Sequence, residues 1–253
     1  MFITFEGGEG SGKSTQINLL SKFLLSNLYK VFVTREPGGS VGAETIRQLL
    51  VTGNPNRWDA HTEALLMYAA RRDNFIRIIK PKLSEGNIVI SDRFSDSTKV
   101  YQGYVGGISD ANIDLLHKFS LDDFYPDLTF YLDLDVSKGL ERANSRKSNE
   151  KRFESKGIEF HENIRKSYLK LASDEPVRIY IIDASKSISK IHNEITKVVE
   201  KFLAKNKWIK KLPWKKNIGY ESLESQFQKI VSLRKNQTWM LVGRKGIGKR
   251  TLS

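Results

Sequence analysis

The stretch Phe2-Ile3-Thr4-Phe5-Glu6-Gly7-Gly8-Glu9-Gly10-Ser11-Gly12-Lys13-Ser14-Thr15 decides the architecture. Its first residues, apolar with a branched threonine among them, read as a short strand covered on both faces, and they run directly into a glycine-dense turn. Behind the turn, Ile17, Leu20, Leu24 and Leu28 recur at helical spacing, so strand, loop and amphipathic helix follow without a gap. The loop carries the pattern G-x-x-x-x-G-K-[ST] in the context that gives it meaning. Gly7, Gly8, Gly10, Ser11 and Gly12 let the main chain curl so that successive N–H groups face phosphate oxygens, and the helix N-terminus adds partial positive charge. Lys13 would neutralise the outer phosphates. Ser14, next to Thr15, would offer its hydroxyl to Mg²⁺, a hard cation that arrives with the nucleotide.

Four more short apolar segments, at residues 31–34, 88–91, 128–132 and 177–182, alternate with helical patterns such as Ile188, Ile191, Ile195, Val198 and Phe202. This alternation predicts an α/β fold of the P-loop NTPase type: a five-stranded parallel sheet between two layers of helices, in residues 1–206. Ligands of such sheets collect beyond the carboxyl ends of the strands. Asp92-Arg93-Phe94 closes the third strand and should therefore lie beside the loop, Asp92 holding Mg²⁺ through water and Arg93 forking two hydrogen bonds onto a phosphate. A surface ion pair is the bland alternative. The second strand ends in Thr34-Arg35-Glu36-Pro37-Gly38-Gly39, a tight turn whose charged pair faces the same crevice.

Composition bounds the rest. The 253 residues carry a net charge of +13, but residues 207–253 hold 12 Lys or Arg against Glu221 and Glu224 alone, which leaves +3 for residues 1–206. The basicity belongs to the tail, and nucleic acid is not the expected partner of the main unit. With no cysteine, disulfides and thiolate metal sites are excluded. No apolar run approaches the roughly 18 residues of a membrane span, and Glu6 interrupts the opening apolar residues too early for a secretory signal, so a cytoplasmic protein is expected. His61, His117, His161 and His192 show no ligand spacing with carboxylates.

Several motifs together resemble the bacterial thymidylate kinases over residues 1–206: the phosphate loop, Thr34 to Gly39, Glu63-Ala64 with Ala69-Ala70-Arg71-Arg72, Asp92-Arg93-Phe94, and Asp96-Ser97-Thr98 with Tyr101-Gln102-Gly103-Tyr104. The resemblance implies transfer of phosphate from ATP to dTMP, giving dTDP, in a homodimer. It assigns Arg93 to the acceptor phosphate and Glu9 to the sugar 3′-hydroxyl. Arg71, Thr98 and Gln102 would read the thymine edge, and Tyr101 would crowd the sugar 2′ position. Many relatives stack the base on a phenylalanine four residues before the arginine. Here Met67 has that spacing, with Tyr68 beside it, and its polarizable sulfur can cover a ring.

The segment from Arg142 to Glu154 is polar and basic and has the length of a movable flap. Phosphoryl transfer benefits from cations that arrive on closure. Because the loop has Glu9 where some relatives add an arginine, the resemblance points to Arg146 and Arg152, with Arg142 and Lys147 as alternatives. The segment from Pro213 onward resembles the start of the clamp-loader δ′ subunit, and within it Trp239 to Ser253 carries Gly243, Gly248, Lys249 and a late Thr251. Without its following helix and sheet, this second loop is expected to bind no nucleotide. A replication-type ATPase or weak nucleic-acid contact through the tail, and a kinase for another nucleoside monophosphate, are the rival readings.

Overall fold

Five short strands, β1 (Phe2–Glu6), β2 (Val31–Arg35), β3 (Ile88–Asp92), β4 (Leu128–Asp133) and β5 (Ile179–Asp183), pair in the order β2-β3-β1-β4-β5, all parallel. They come from a computed structural model that describes residues 1–54, 56–144, 152–153, 156–206 and 208. β1 lies between β3 and β4, with Phe5 opposite Asp92 and Glu6 opposite Tyr131. This register sets the phosphate loop at the carboxyl ends of both neighbours.

The helices are α1 (Lys13–Ser26), α2 (Val41–Val51), α3 (Ala60–Asn74), α4 (Lys80–Ser84), α5 (Ser95–Thr98), α6 (Asp110–Leu121), α7 (Val136–Asn144), α8 (Ile158–Asp174) and α9 (Ile188–Lys205). Wider π-helical turns at Phe75–Ile79 and Lys99–Val105 follow α3 and α5. Successive side chains of β1 point to opposite faces. Ile3 and Phe5 join Ile17, Leu20 and Leu24 of α1 and Ile191, Ile195 and Val199 of α9 in one core. Phe2 faces the other layer, with Phe75, Ile79, Phe94 and Leu121. On that side Tyr131 and Ile179 also pack on Ile164, Tyr168 and Leu171 of α8. The expected three-layer parallel fold is what is found.

Two local expectations shift. Helix α1 stops at Ser26, and Leu28 leaves the helical pattern with φ of 65° and an exposed side chain. Tyr29 N–H bonds back to Leu24 O and its half-buried ring packs on the core, so the turn sets Tyr29 against the core in place of Leu28. The last strand starts at Ile179, two residues later than residue 177, because Glu175 O receives both Arg178 N–H and Ile179 N–H in a turn that leaves Val177 in solvent. Arg146 and Lys147, and the tail features at Pro213, 220–230, 238–242 and 243–251, lie outside the described residues. Among the described residues, no helix is long and apolar enough to cross a membrane.

Helix α7 touches the phosphate loop through two glycines. A Cβ on Gly10 would overlap the Gly139 carbonyl, and one on Gly139 would overlap the Glu9 carbonyl. Alanine in a helix interior ordinarily gains about 1 kcal/mol over glycine. Gly139→Ala should reverse that sign and cost about 1–3 kcal/mol through overpacking. Thermal denaturation checks this, and an unchanged or raised midpoint would contradict the contact.

Candidate active site

A cleft of about 360 Å³ opens at the carboxyl ends of β1, β2 and β3 and is lined by Glu9 to Thr15, Arg71, Asp92, Arg93, Thr98 and Gln102 among others. Gly12 adopts φ of 93° immediately before α1, a left-handed turn that glycine makes at no steric cost. Lys13 is buried and folds back so that its Nζ donates to Gly7 O and Gly8 O, both at 3.1 Å. Burial and the nearby Arg93 guanidinium lower its pKa. Ser14 Oγ donates to Asp92 Oδ2 at 3.3 Å. A hydroxyl and a carboxylate side by side are hard oxygen donors of the kind Mg²⁺ takes when it keeps several waters, so this pair fits that ion. Among the described residues no cluster of three His, Asp or Glu side chains forms a dedicated metal cage.

Arg93 follows β3 with φ of 69°, a left-handed conformation that costs a side chain about 1–2 kcal/mol. Its N–H donates to Phe5 O and its carbonyl accepts from Ser91 Oγ, which hold that backbone in place. The guanidinium donates to Glu9 Oε1 at 3.0 Å, Ser97 Oγ at 3.1 Å and Tyr168 OH at 3.3 Å, and lies over the Tyr101 ring. Arg93, 84 positions from Glu9 along the chain, is thus a neighbour of both Glu9 and Lys13 of the phosphate loop. The loop and the arginine would bind two anions next to each other.

The opposite wall of the cleft carries polar atoms arranged on α3 and the turn after α5. Arg71 is buried, donating to Glu36 Oε2 at 2.7 Å and to Phe94 O and Thr98 Oγ1, each at 3.1 Å. Its Nη1 has no partner. Gln102 Nε2 donates to Glu63 Oε2 at 2.9 Å. Of the two neighbours Met67 and Tyr68, it is Met67 that lines the cleft, while Tyr68 lies behind it under the Arg71 guanidinium.

The family model for thymidylate kinase matches residues 5–195. The chain is 50% identical to the thymidylate kinase of Caulobacter vibrioides over 198 residues, which cover 78% of this chain and 95% of that relative. It is 45% identical to that of Ruegeria pomeroyi over 199 residues, 79% of this chain and 94% of the relative. The chain belongs to the thymidylate kinase family. A crystal structure of thymidylate kinase from Ehrlichia chaffeensis superimposes with a TM-score of 0.64 at 39% identity, covering 79% of this chain and 98% of that one.

Not every residue singled out in the sequence meets the phosphate loop. Arg152 is fully buried elsewhere, donating to Leu50 O and Asn54 O at 3.1 Å and pairing with Glu63. This lid arginine therefore sits under the C-terminal end of α2 and beside α3. Sequence reasoning gave no role to Glu6 or Tyr168, and quoted Ser97 and Glu63 only as parts of motifs. Glu6 had one signal, a charged residue closing an otherwise apolar strand. Tyr168, 162 positions away from it, had none.

Glu6 is completely buried. Its Oε1 accepts from Phe94 N–H at 2.8 Å, and its Oε2 lies 2.6 Å from Ser97 Oγ and 2.8 Å from Tyr168 OH. Ser97 Oγ and Tyr168 OH are themselves 2.9 Å apart, so three oxygens form a closed triangle. A carboxylate leaves two protons for three contacts, whereas a protonated Glu6 supplies the third. Burial, reinforced by Asp96, raises the Glu6 pKa from the ordinary carboxylate value of 4.5 to about 7. A raised pKa means that the folded protein holds a proton the unfolded chain releases, so this contribution to stability is complete below pH 4.5 and is lost as pH rises to about 7. Glu6→Gln keeps the shape and the donors at every pH. Its unfolding free energy should therefore fall less steeply than that of the unsubstituted chain across this window, as denaturant titrations at a series of pH values would read. Parallel slopes would count against a protonated Glu6.

Proposed function

We propose that the chain transfers the terminal phosphate of ATP to dTMP, forming dTDP. The observation that carries this is the side-by-side placement of the phosphate loop and Arg93. One cradles the donor phosphates, the other receives the acceptor phosphate, and Glu9, which binds Arg93, is set to orient the acceptor sugar. In-line transfer needs positioning and cations more than covalent help. Mg²⁺, held by Ser14 and Asp92, would supply further positive charge on the donor phosphates. Gly7, Gly8, Gly10, Ser11, Gly12 and Thr15 complete the donor cradle. Arg71, Thr98 and Gln102 read the base, Met67 covers it, and Tyr101 borders the sugar. Arg146 remains the candidate lid cation; the surroundings of Arg152 favour a positioning role instead.

We assign this activity to residues 1–206 and treat residues 207–253 as a basic appendage; matches of 198 and 199 residues to the two relatives support that division. Purified protein with magnesium and ATP should release ADP only when dTMP is present, and slowly or not at all with UMP. Lys13→Ala should lower kcat about a hundredfold or more, and Arg93→Ala should lower kcat/KM for dTMP by a similar factor. Lys249→Ala should leave the rate unchanged. Activity that followed Lys249 or that ignored dTMP would refute the reading.

We also propose a homodimer. The apolar side chains Leu65 of α3 and Leu115 and Phe119 of α6 are exposed, Phe119 by 87%, on two helices that pack together, and this supports a partner copy at that face. Light scattering should give about twice the mass of one chain, and Phe119→Glu should shift it towards the monomer. A monomeric unsubstituted protein would dispose of the proposal.

A further inference from the structure

The cleft wall poses a question that the phosphate chemistry does not answer: what decides which way the Gln102 amide points? The two ends of a glutamine side chain have nearly the same shape and opposite hydrogen-bonding character, so a neighbour has to choose between them. That neighbour is Glu63. Its carboxylate accepts and cannot donate, so it takes the Gln102 nitrogen, at 2.9 Å, and leaves the oxygen end for the cleft that Gln102 lines. An ordinary charge-assisted hydrogen bond biases such a choice roughly tenfold to a hundredfold.

Glu63 is buried and its other oxygen pairs with Arg152. Arg152 is anchored in turn by the carbonyls of Leu50 and Asn54 at the end of α2. The arginine holds the carboxylate turned so that Oε2 meets Gln102. Arg71 lines the same cleft and carries only donors, and its buried Nη1 has no partner. The wall therefore sets a donor at Arg71 and an acceptor at Gln102, with Thr98 among the supports of the first. A thymine edge supplies the complement, O4 to accept and N3–H to donate. A cytosine edge has the reverse, an amino group and an unprotonated N3.

We propose that Glu63, clamped by Arg152, is a positioning residue that sets base specificity by fixing the orientation of the Gln102 amide. This rests on the dTMP kinase reading above. Glu63→Gln tests it with a directional expectation. The new amide would turn its oxygen to Arg152 and its nitrogen to Gln102, which makes Gln102 rotate and present nitrogen to the cleft. The preference for dTMP over dCMP in kcat/KM should then fall by about tenfold or more. The preference for dTMP over dUMP, which share the same edge, should stay within about twofold.

A loss of general structure would lower all three substrates together and move neither ratio, which separates it from this role. An unchanged dTMP-to-dCMP ratio in a folded Glu63→Gln protein overturns the inference. Should that variant fail to fold because Arg152 is left unpaired, the double variant Glu63→Gln with Arg152→Gln removes both charges together; it should show the same selective fall, and an unchanged ratio there has the same consequence. If the unsubstituted protein transfers no phosphate to dTMP, the proposed function fails by itself. Calorimetric binding of dTMP, dUMP and dCMP to both proteins then reads the same ratios, and equal ratios in both would overturn the orientation role.

Discussion

The parallel pairing of β1 between β3 and β4 is the constraint on which the site depends. Because Phe5 lies opposite Asp92, the chain leaves β1 and β3 at the same level. From there one strand turns into the phosphate loop and the other into Arg93. A slip of one residue would turn every side chain of β1 to the other face and bring Phe5, now in the α1 core, into the place of Glu6. The site is thus a consequence of register before it is a consequence of any one side chain.

Around that junction, positive charge is stored in protein-made partners that a ligand can replace. Lys13 rests on loop carbonyls, and Arg93 rests on Glu9, Ser97 and Tyr168. Neither cation is left unpaired, which would be costly in so buried a place. Both partners' contacts are weaker claims than a phosphate dianion would make. The strained left-handed backbone of Arg93 belongs to the same economy of geometry, since the surrounding hydrogen bonds to Phe5 and Ser91 hold it.

The wall proposed to read the base is built differently. There the chain uses buried, fixed polar groups on α3 and the turn after α5, each oriented by a second residue: Arg71 by Glu36 and Thr98, Gln102 by Glu63. Phosphates reward charge, which acts over distance and tolerates error. A base edge rewards direction, and direction needs supports that are themselves locked.

What the sequence by itself determined is mostly local. The strand, glycine loop and helix at residues 2–26, the paired motif at Asp92-Arg93, and the alternation that requires a parallel sheet all follow from spacing and residue type within short windows. Met67 as the cleft residue and Gln102 and Arg71 as its neighbours followed from motif resemblance. The exceptions were local too: Leu28 fits a helical period that the turn at Tyr29 ends. What only the tertiary structure decided is which groups meet across long separations. Glu6 with Tyr168, Arg152 with Glu63, and the unpartnered nitrogen of Arg71 have no signature in spacing, because a hydrogen bond is set by distance and angle in space, and those are known only once helices have packed on the sheet.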